Sequence, residues 1–155
     1  MPEPGTLGAR LHPPFLHFPI AFWTAGTALD VLQRATGWSL PGVDGYAAGH
    51  GLLWGGVLAA LATVGAGLFD FARLPRAVQD GRALKWHMLA MSSAFTAFLV
   101  AGIWRAKTGA FAAPPAFGPL LLEVLGAAAL VVGGHFGGRV VFHDIPRALG
   151  GGPRP

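Results

Sequence analysis

Apolar residues occupy four long stretches of the chain, and charged residues fall almost only between them. The stretches cover residues 14–32, 46–71, 86–104 and 119–142. Each has roughly 19 to 26 residues, enough for a helix that rises 1.5 Å per residue to cross a hydrocarbon core of about 30 Å. The pattern therefore predicts four membrane-spanning helices and almost no strand.

The connections between these stretches are short, so helices that follow one another in sequence should be antiparallel neighbours. We expect an all-α, integral membrane bundle with up-down-up-down topology, forming one domain over residues 1–155. Small-residue patterns such as Gly51-x-x-x-Gly55 and Gly133-x-x-x-Gly137 would let helices approach closely. No longer sequence repeat is apparent.

Composition supports a membrane protein and narrows its chemistry. Hydrophobic residues make up 53% of the chain and charged residues 12%, against about 25% charged residues in a soluble domain. The net charge of +4 comes without a basic stripe interleaved with aromatic residues, so nucleic acid is not an expected partner. The absence of cysteine excludes disulfides, c-type haem and a cysteine-ligated iron–sulfur cluster on this chain.

Basic residues are unequally divided between the two membrane faces. We call the face with the N-terminus, the loop at 72–85 and the C-terminal tail side A, and the opposite face side B. Side A carries Arg10, Arg73, Arg76, Arg82, Lys85, Arg139, Arg147 and Arg154, whereas side B carries Arg34, Arg105 and Lys107. The positive-inside rule therefore predicts that side A and both termini are cytoplasmic.

Five of the six histidines belong to side A on this topology. They are His12, His17, His87, His135 and His143, and only His50 falls on side B. Histidine at membrane depth is costly and is often functional. We expect His50 to be an interfacial or hydrogen-bonded core residue, and the other five to be candidates for a common site.

Three interpretations of these histidines stay open on the residues alone. They could be interfacial or hydrogen-bonded core residues, ligands of a non-haem metal with a carboxylate such as Asp70, or axial ligands of a b-type haem. For haem, His17 and His87 are the first choice as iron ligands, because they lie at similar depth on helices expected to be diagonal. A second haem could use two of His12, His135 and His143.

Prolines surround the first of these histidines. In the stretch HPPFLHFP at 12–19, Pro13 or Pro14 is expected to begin the first helix, where a missing N–H costs nothing. Pro19 then lies inside the helix and frees the carbonyl of Phe15. We expect Pro13, Pro14 and Pro19 to set the entry of this helix so that His17 points into the bundle, with the Phe15 carbonyl available to orient its ring.

The same stretch resembles the His-Pro-x-x-x-His-Phe-Pro signature of a family of small bacterial membrane proteins, domain of unknown function 2231. The resemblance continues with Asp30, with GLFD at 67–70, with His87 and with GGRVVFHD at 137–144. It places the histidines at 12, 17, 87 and 143 on the family pattern. Some members join this module to a Rieske iron–sulfur domain, which implies electron transfer in or beside the membrane.

The expected function is electron transfer by a haem b protein of the bacterial inner membrane, working with other membrane redox proteins rather than as a stand-alone enzyme. One alternative is an accessory subunit of a larger respiratory or photosynthetic complex, without a cofactor. Others are a non-haem metal-binding membrane protein and a quinone-reactive or metal-dependent membrane enzyme.

Overall fold

The structure is a computed structural model that describes residues 12–38, 42, 44–108 and 115–150, and within these residues it contains helices and no strand. Its elements are α1 (His12–Thr36), α2 (Gly45–Phe71), α3 (Arg76–Gln79), α4 (Arg82–Lys107), α5 (Phe117–Arg139), a π-helical turn (Val140–Asp144) and α6 (Ile145–Ala148). The four long helices are long and apolar enough to cross a membrane. The prediction of an all-α membrane four-helix bundle is confirmed.

The long helices extend beyond the apolar stretches by up to a turn at several ends. At the start of α1, the backbone N–H of His12 donates to Oδ2 of Asp70 at 2.9 Å. At the start of α2, the Asp44 carboxylate accepts from the backbone N–H groups of Tyr46 and Ala47. Charged residues end the apolar stretches, but the helices continue past them. Where a helix leaves the hydrocarbon, polar side chains and caps can satisfy its terminal backbone N–H and C=O groups.

The bundle consists of two helical hairpins. α1 packs along α2 and α4 packs along α5, while looser contacts join α1 to α5 and α2 to α4. α1 and α4 therefore lie on a diagonal, as the up-down-up-down topology predicts, and meet across the bundle axis through side chains. The core between the hairpins includes Trp23, Leu53, Val57, Phe98 and Leu130.

The two hairpins repeat each other, which the sequence does not reveal. Five of the six buried residues of α1 have a buried counterpart in α4 at one constant offset, the 75 positions that separate Asp30 from Arg105. The pairs are Pro19 and Ala94, Trp23 and Phe98, Gly26 and Ala101, Thr27 and Gly102, and Asp30 and Arg105. Only the pattern of burial is shared, since no pair keeps the same residue.

A second constant offset relates α2 to α5. All six buried residues of α5 have a buried counterpart in α2, and the pairs are Gly49 and Pro119, His50 and Leu120, Leu53 and Glu123, Gly56 and Gly126, Ala60 and Leu130, and Thr63 and Gly133. The contacts also correspond, because Gly56 lies against the Trp23 ring and Gly126 against the Phe98 ring. The bundle is thus a tandem repeat of one hairpin, with a pseudo-twofold axis running along the bundle.

Residues at equivalent positions of α1 and α4 meet each other on this axis, in three layers. His12 faces His87 near side A. Trp23 stacks on Phe98 in the middle, with ring centroids 4.4 Å apart and planes 7° apart. Asp30 pairs with Arg105 near side B. The polar layers at the two ends are therefore separated by an aromatic one.

Side A carries a small additional layer outside the bundle. Val78 of α3, Ala83 and Leu84 of α4, Val140 of the π-helical turn and Ile145 of α6 form a second apolar cluster. The cluster fastens the chain after α5 to the start of α4. It also shapes the surface on which the arginines of this side lie.

Candidate functional site

Two histidine rings meet across the diagonal at the side A end of the bundle. The centroids of the His12 and His87 rings are 6.3 Å apart, and their planes are nearly perpendicular at 88°. Both side chains are half-buried, between the ends of the two hairpins. The rings occupy equivalent positions of the repeat, so the pair lies on the pseudo-twofold axis.

Each ring is held by the other helix of its own hairpin. His12 Nδ1 lies 3.1 Å from the carbonyl oxygen of Thr63 on α2, and His87 Nδ1 lies 2.8 Å from the carbonyl oxygen of Gly133 on α5. A carbonyl can only accept, so both Nδ1 atoms donate their hydrogen. In a neutral imidazole this leaves Nε2 as the unprotonated nitrogen, which is the form that binds a metal.

Glycines allow the rings to approach the neighbouring helices this closely. A Cβ atom on Gly67 would lie 2.9 Å from His12 Nδ1, and one on Gly137 would lie 2.9 Å from His87 Nδ1. Gly67 comes four residues after Thr63, and Gly137 comes four residues after Gly133, which is about one helix turn. Each imidazole therefore lies against one turn of the neighbouring helix, between the carbonyl that it binds and the glycine. The same device therefore orients both imidazoles.

Thr63 connects the proline of α1 to this site. Its hydroxyl lies 3.1 Å from the carbonyl oxygen of Phe15, the group that Pro19 leaves without an intrahelical N–H donor, and 2.8 Å from that of Ala59. The expectation that the Phe15 carbonyl orients His17 is wrong, because that carbonyl faces α2. The proline instead exposes an acceptor that binds α1 to the residue whose own carbonyl holds His12.

The structure does not bring the other three candidates on side A into this pair. His17, His135 and His143 are exposed on the outer surface of the bundle. His135 contacts the ring of its neighbour Phe136. His17 is one and a half turns beyond His12 and so lies on another face of α1. The structure thus places His12, rather than the expected His17, opposite His87.

His50 takes the core role expected of it. Its side chain is buried, and Nε2 accepts a hydrogen bond of 3.0 Å from the indole N–H of Trp54 one turn later on α2. The contact lies within one helix and in the side B half of the bundle. His50 is therefore part of the packing there and is remote from the His12–His87 pair.

A buried ion cluster forms the opposite pole of the bundle. The Arg105 guanidinium binds the Asp30 carboxylate through both terminal nitrogens, and Nη1 also donates to Glu123 Oε1 at 3.0 Å. All three side chains are essentially inaccessible, at 0–1% exposure. They come from α1, α4 and α5, so one guanidinium joins both hairpins.

The sequence pattern missed this cluster for a specific reason. Asp30 and Arg105 lie near the ends of apolar stretches, where a charged residue marks the membrane boundary as readily as a buried pair. Glu123, inside the fourth stretch, was the available signal, because a lone carboxylate at membrane depth requires a partner. Gln33 and the Arg105 Nε atom add buried polar atoms without a hydrogen-bond partner among the described residues.

The described residues contain no group of three or more His, Cys, Asp or Glu side chains arranged to hold a metal ion. A metal at His12 and His87 would therefore receive two protein ligands from the part of the chain that the structure covers. Two histidines are the number of protein ligands that a haem iron with bis-histidine ligation would take.

Comparison with known proteins agrees with the helical architecture. The family model described as "Predicted membrane protein (DUF2231)" matches residues 8–145, which include all four long helices, the histidine pair and the ion cluster. No curated protein and no solved structure matches the chain. The chain therefore belongs to this family of predicted membrane proteins, domain of unknown function 2231.

Proposed function

We propose that this chain is a membrane-embedded b-type haem protein for electron transfer, with His12 and His87 as the axial ligands of the iron. The observation that carries the proposal is the pairing of these two rings across the bundle diagonal, 6.3 Å apart. Imidazoles bound through Nε2 on opposite sides of one metal, at about 2.0–2.1 Å each, have centroids roughly 6 Å apart. The pair already has that separation.

The environment of the rings supports the proposal further. Both Nδ1–H groups are bonded to backbone carbonyls, which is how proteins fix the tautomer and orientation of a ligating histidine. The ligands come from diagonal helices, so a macrocycle between them would extend toward α2 and α5. Gly67 and Gly137 lie on those helices, and their lack of a side chain gives the two imidazole rings the room they occupy there.

A bound haem would supply an iron that gains and loses one electron, while the protein sets its ligands and its surroundings. A site at the side A end of the bundle favours electron exchange with a partner at that face. The excess of basic residues on side A favours a cytoplasmic location for it in a bacterial inner membrane. Other membrane redox proteins are the partners that such a site would serve.

The test is haem binding by the purified full chain, expressed with ample haem. We expect a Soret band with the spectrum of a six-coordinate low-spin haem. His12→Ala or His87→Ala should abolish the band or leave a five-coordinate spectrum. His17→Ala is the matched control, because His17 is exposed on the same helix end, and it should leave the spectrum unchanged.

A protein that folds and stays colourless would overturn the haem proposal. It would favour the second candidate, an accessory membrane subunit without a cofactor. One observation supports that role too, since His12 and His87 each bond their hairpin's second helix. In that case His87→Ala should lower thermal stability in detergent in the absence of haem, and the chain should co-purify with larger membrane complexes.

A further inference from the structure

The side A surface contains a cavity that is separate from the histidine pair. Its volume is about 690 Å³, within the range of small-molecule sites. It lies between α3, the start of α4, the end of α5 and α6. The side chains that matter for its chemistry are Arg82, Arg139, Arg147, Asp144, Trp86 and Phe136.

Positive charge dominates this cavity. Three arginines line it, together with one acidic residue, Asp144. Within the described part of the chain, the side chains of Arg82, Arg139 and Arg147 form no ion pair with an acidic side chain. A guanidinium presents a planar fork of donors that matches phosphate oxygens. The cavity is thus suited to an anion, and to a phosphate in particular.

The cavity also has a polarity gradient along the membrane normal. Arg82 begins α4 and Arg139 ends α5, so both lie where the helices leave the hydrocarbon. About one turn deeper, the rings of Trp86 and Phe136 stack with centroids 6.2 Å apart and planes 22° apart. Trp86 is 48% exposed, at the depth where tryptophan meets lipid headgroups.

We propose that this cavity binds the phosphate headgroup of an anionic phospholipid. Arg82, Arg139 and Arg147 hold the phosphate, and Trp86 and Phe136 pack against the glycerol and upper acyl carbons. A lipid is favoured over a free anion because the arginines lie at the water side of the cavity and the aromatic rings lie deeper. A phospholipid has its charged phosphate and its apolar chains in the same order. Basic pockets at the cytoplasmic ends of membrane helices bind such headgroups. The proposal is independent of the haem site.

Binding at this position would connect α6 to the ends of α4 and α5, beside the small apolar cluster of side A. The three arginines come from α4, α5 and α6, and one phosphate can accept from all of them. An occupied cavity should therefore stabilise the end of the second hairpin. The three arginines line a single cavity, so one lipid is expected there per chain.

The experiment is native mass spectrometry and thermal unfolding of the full chain in detergent, with added phosphatidylglycerol or phosphatidylcholine. We expect one phosphatidylglycerol to stay bound and to raise the unfolding temperature, with phosphatidylcholine much weaker. Each of Arg82→Gln, Arg139→Gln and Arg147→Gln should weaken phosphatidylglycerol binding about fivefold. The control combines Arg73→Gln, Arg76→Gln and Lys85→Gln, which are on the same face but outside the cavity, and should keep specific binding.

A gain of binding keeps the test independent of folding defects. Asp144→Asn removes the one opposing carboxylate of the cavity and should tighten phosphatidylglycerol binding severalfold, which a misfolded protein would not do. Loss of binding in the control variant to the same extent as in the cavity variants would overturn the proposal in favour of general surface attraction. Equal stabilisation by inorganic phosphate alone would overturn it in favour of a free anion.

Discussion

At the scale of single residues, the histidine pair depends on two glycines as much as on its own rings. His87 lies flat enough against α5 to donate to the Gly133 carbonyl at 2.8 Å, because Gly137 has no side chain there. Gly134 and Gly138, on the same helix, would place a Cβ in open space. Neighbouring glycines thus have different roles. A methyl group added at Gly137 would meet the His87 ring, whereas one added at Gly138 would not meet any described residue.

Gly137→Ala should disturb His87 and lower the free energy of unfolding. The added Cβ would lie 2.9 Å from His87 Nδ1 and 3.0 Å from Cε1, so the ring must move and weaken its hydrogen bond. We expect a loss of about 1–3 kcal/mol, measured by thermal unfolding in detergent. Gly138→Ala should be neutral or stabilising by up to about 1 kcal/mol. Equal stability of the two variants would contradict the assigned contact.

At the scale of the helices, the ion cluster determines which faces of the hairpins meet. Asp30 of α1 and Arg105 of α4 occupy equivalent positions of the repeat and have opposite charges. They therefore attract each other when the first hairpin packs against the second. Two copies of the first hairpin in the same arrangement would oppose carboxylate to carboxylate. Glu123 replaces the apolar Leu53 of the other hairpin and adds the second acceptor for the guanidinium. The cluster therefore favours association of unlike halves.

Arg105→Met should destabilise the bundle severely, because it leaves two buried carboxylates without a partner. Breaking a buried ion pair costs about 3–5 kcal/mol. The triple variant Asp30→Asn, Arg105→Met, Glu123→Gln should recover much of this loss, since neutral side chains are far less costly to bury. Unfolding of the purified variants in a detergent titration would measure both effects.

Lys107→Met is the control for the loss of one positive charge at the same end of α4, where Lys107 is exposed. It should change stability by less than about 1 kcal/mol. If Arg105→Met were as mild as this control, or if the triple variant were worse than the single one, the cluster would not be the element that joins the hairpins.

At the scale of the whole molecule, the repeat gives the protein two unlike ends. The starts of α1 and α4 and the ends of α2 and α5 lie together on side A, with the histidine pair, the arginine-lined cavity and the small apolar cluster. Side B holds the buried ion cluster. The stacked Trp23 and Phe98 rings separate these ends. The two sites that we propose, for haem and for a lipid phosphate, therefore both lie on side A.

Side A and both termini should face the cytoplasm, and cysteine labelling can measure this because the chain has no cysteine of its own. In intact cells, a membrane-impermeant maleimide should label Ala35→Cys on side B. It should label Thr6→Cys and Gly151→Cys only after the cells are opened. Labelling of Thr6→Cys and Gly151→Cys in intact cells, with Ala35→Cys protected, would contradict the predicted orientation. Labelling of only one of the two terminal cysteines in intact cells would contradict four spans.

The sequence by itself determined the four membrane helices, their antiparallel order and the grouping of five histidines at one end. Each of these follows from the lengths of apolar runs and the places where charges interrupt them. The residues of the His-Pro-x-x-x-His-Phe-Pro stretch also indicated the family. None of these inferences requires knowledge of how a helix is rotated about its own axis.

Only the tertiary structure decided which residues of those helices meet. A helix surrounded by lipid on one side and apolar neighbours on the other is hydrophobic all round, so its sequence does not mark the inward face. That is why His12 rather than His17 opposes His87, and why Asp30 and Arg105 form a pair instead of two boundary charges. The repeat was hidden for the same reason, since its halves share buried positions and contacts while most of the residues at those positions differ, the pairs His12 and His87, and Gly56 and Gly126, being exceptions.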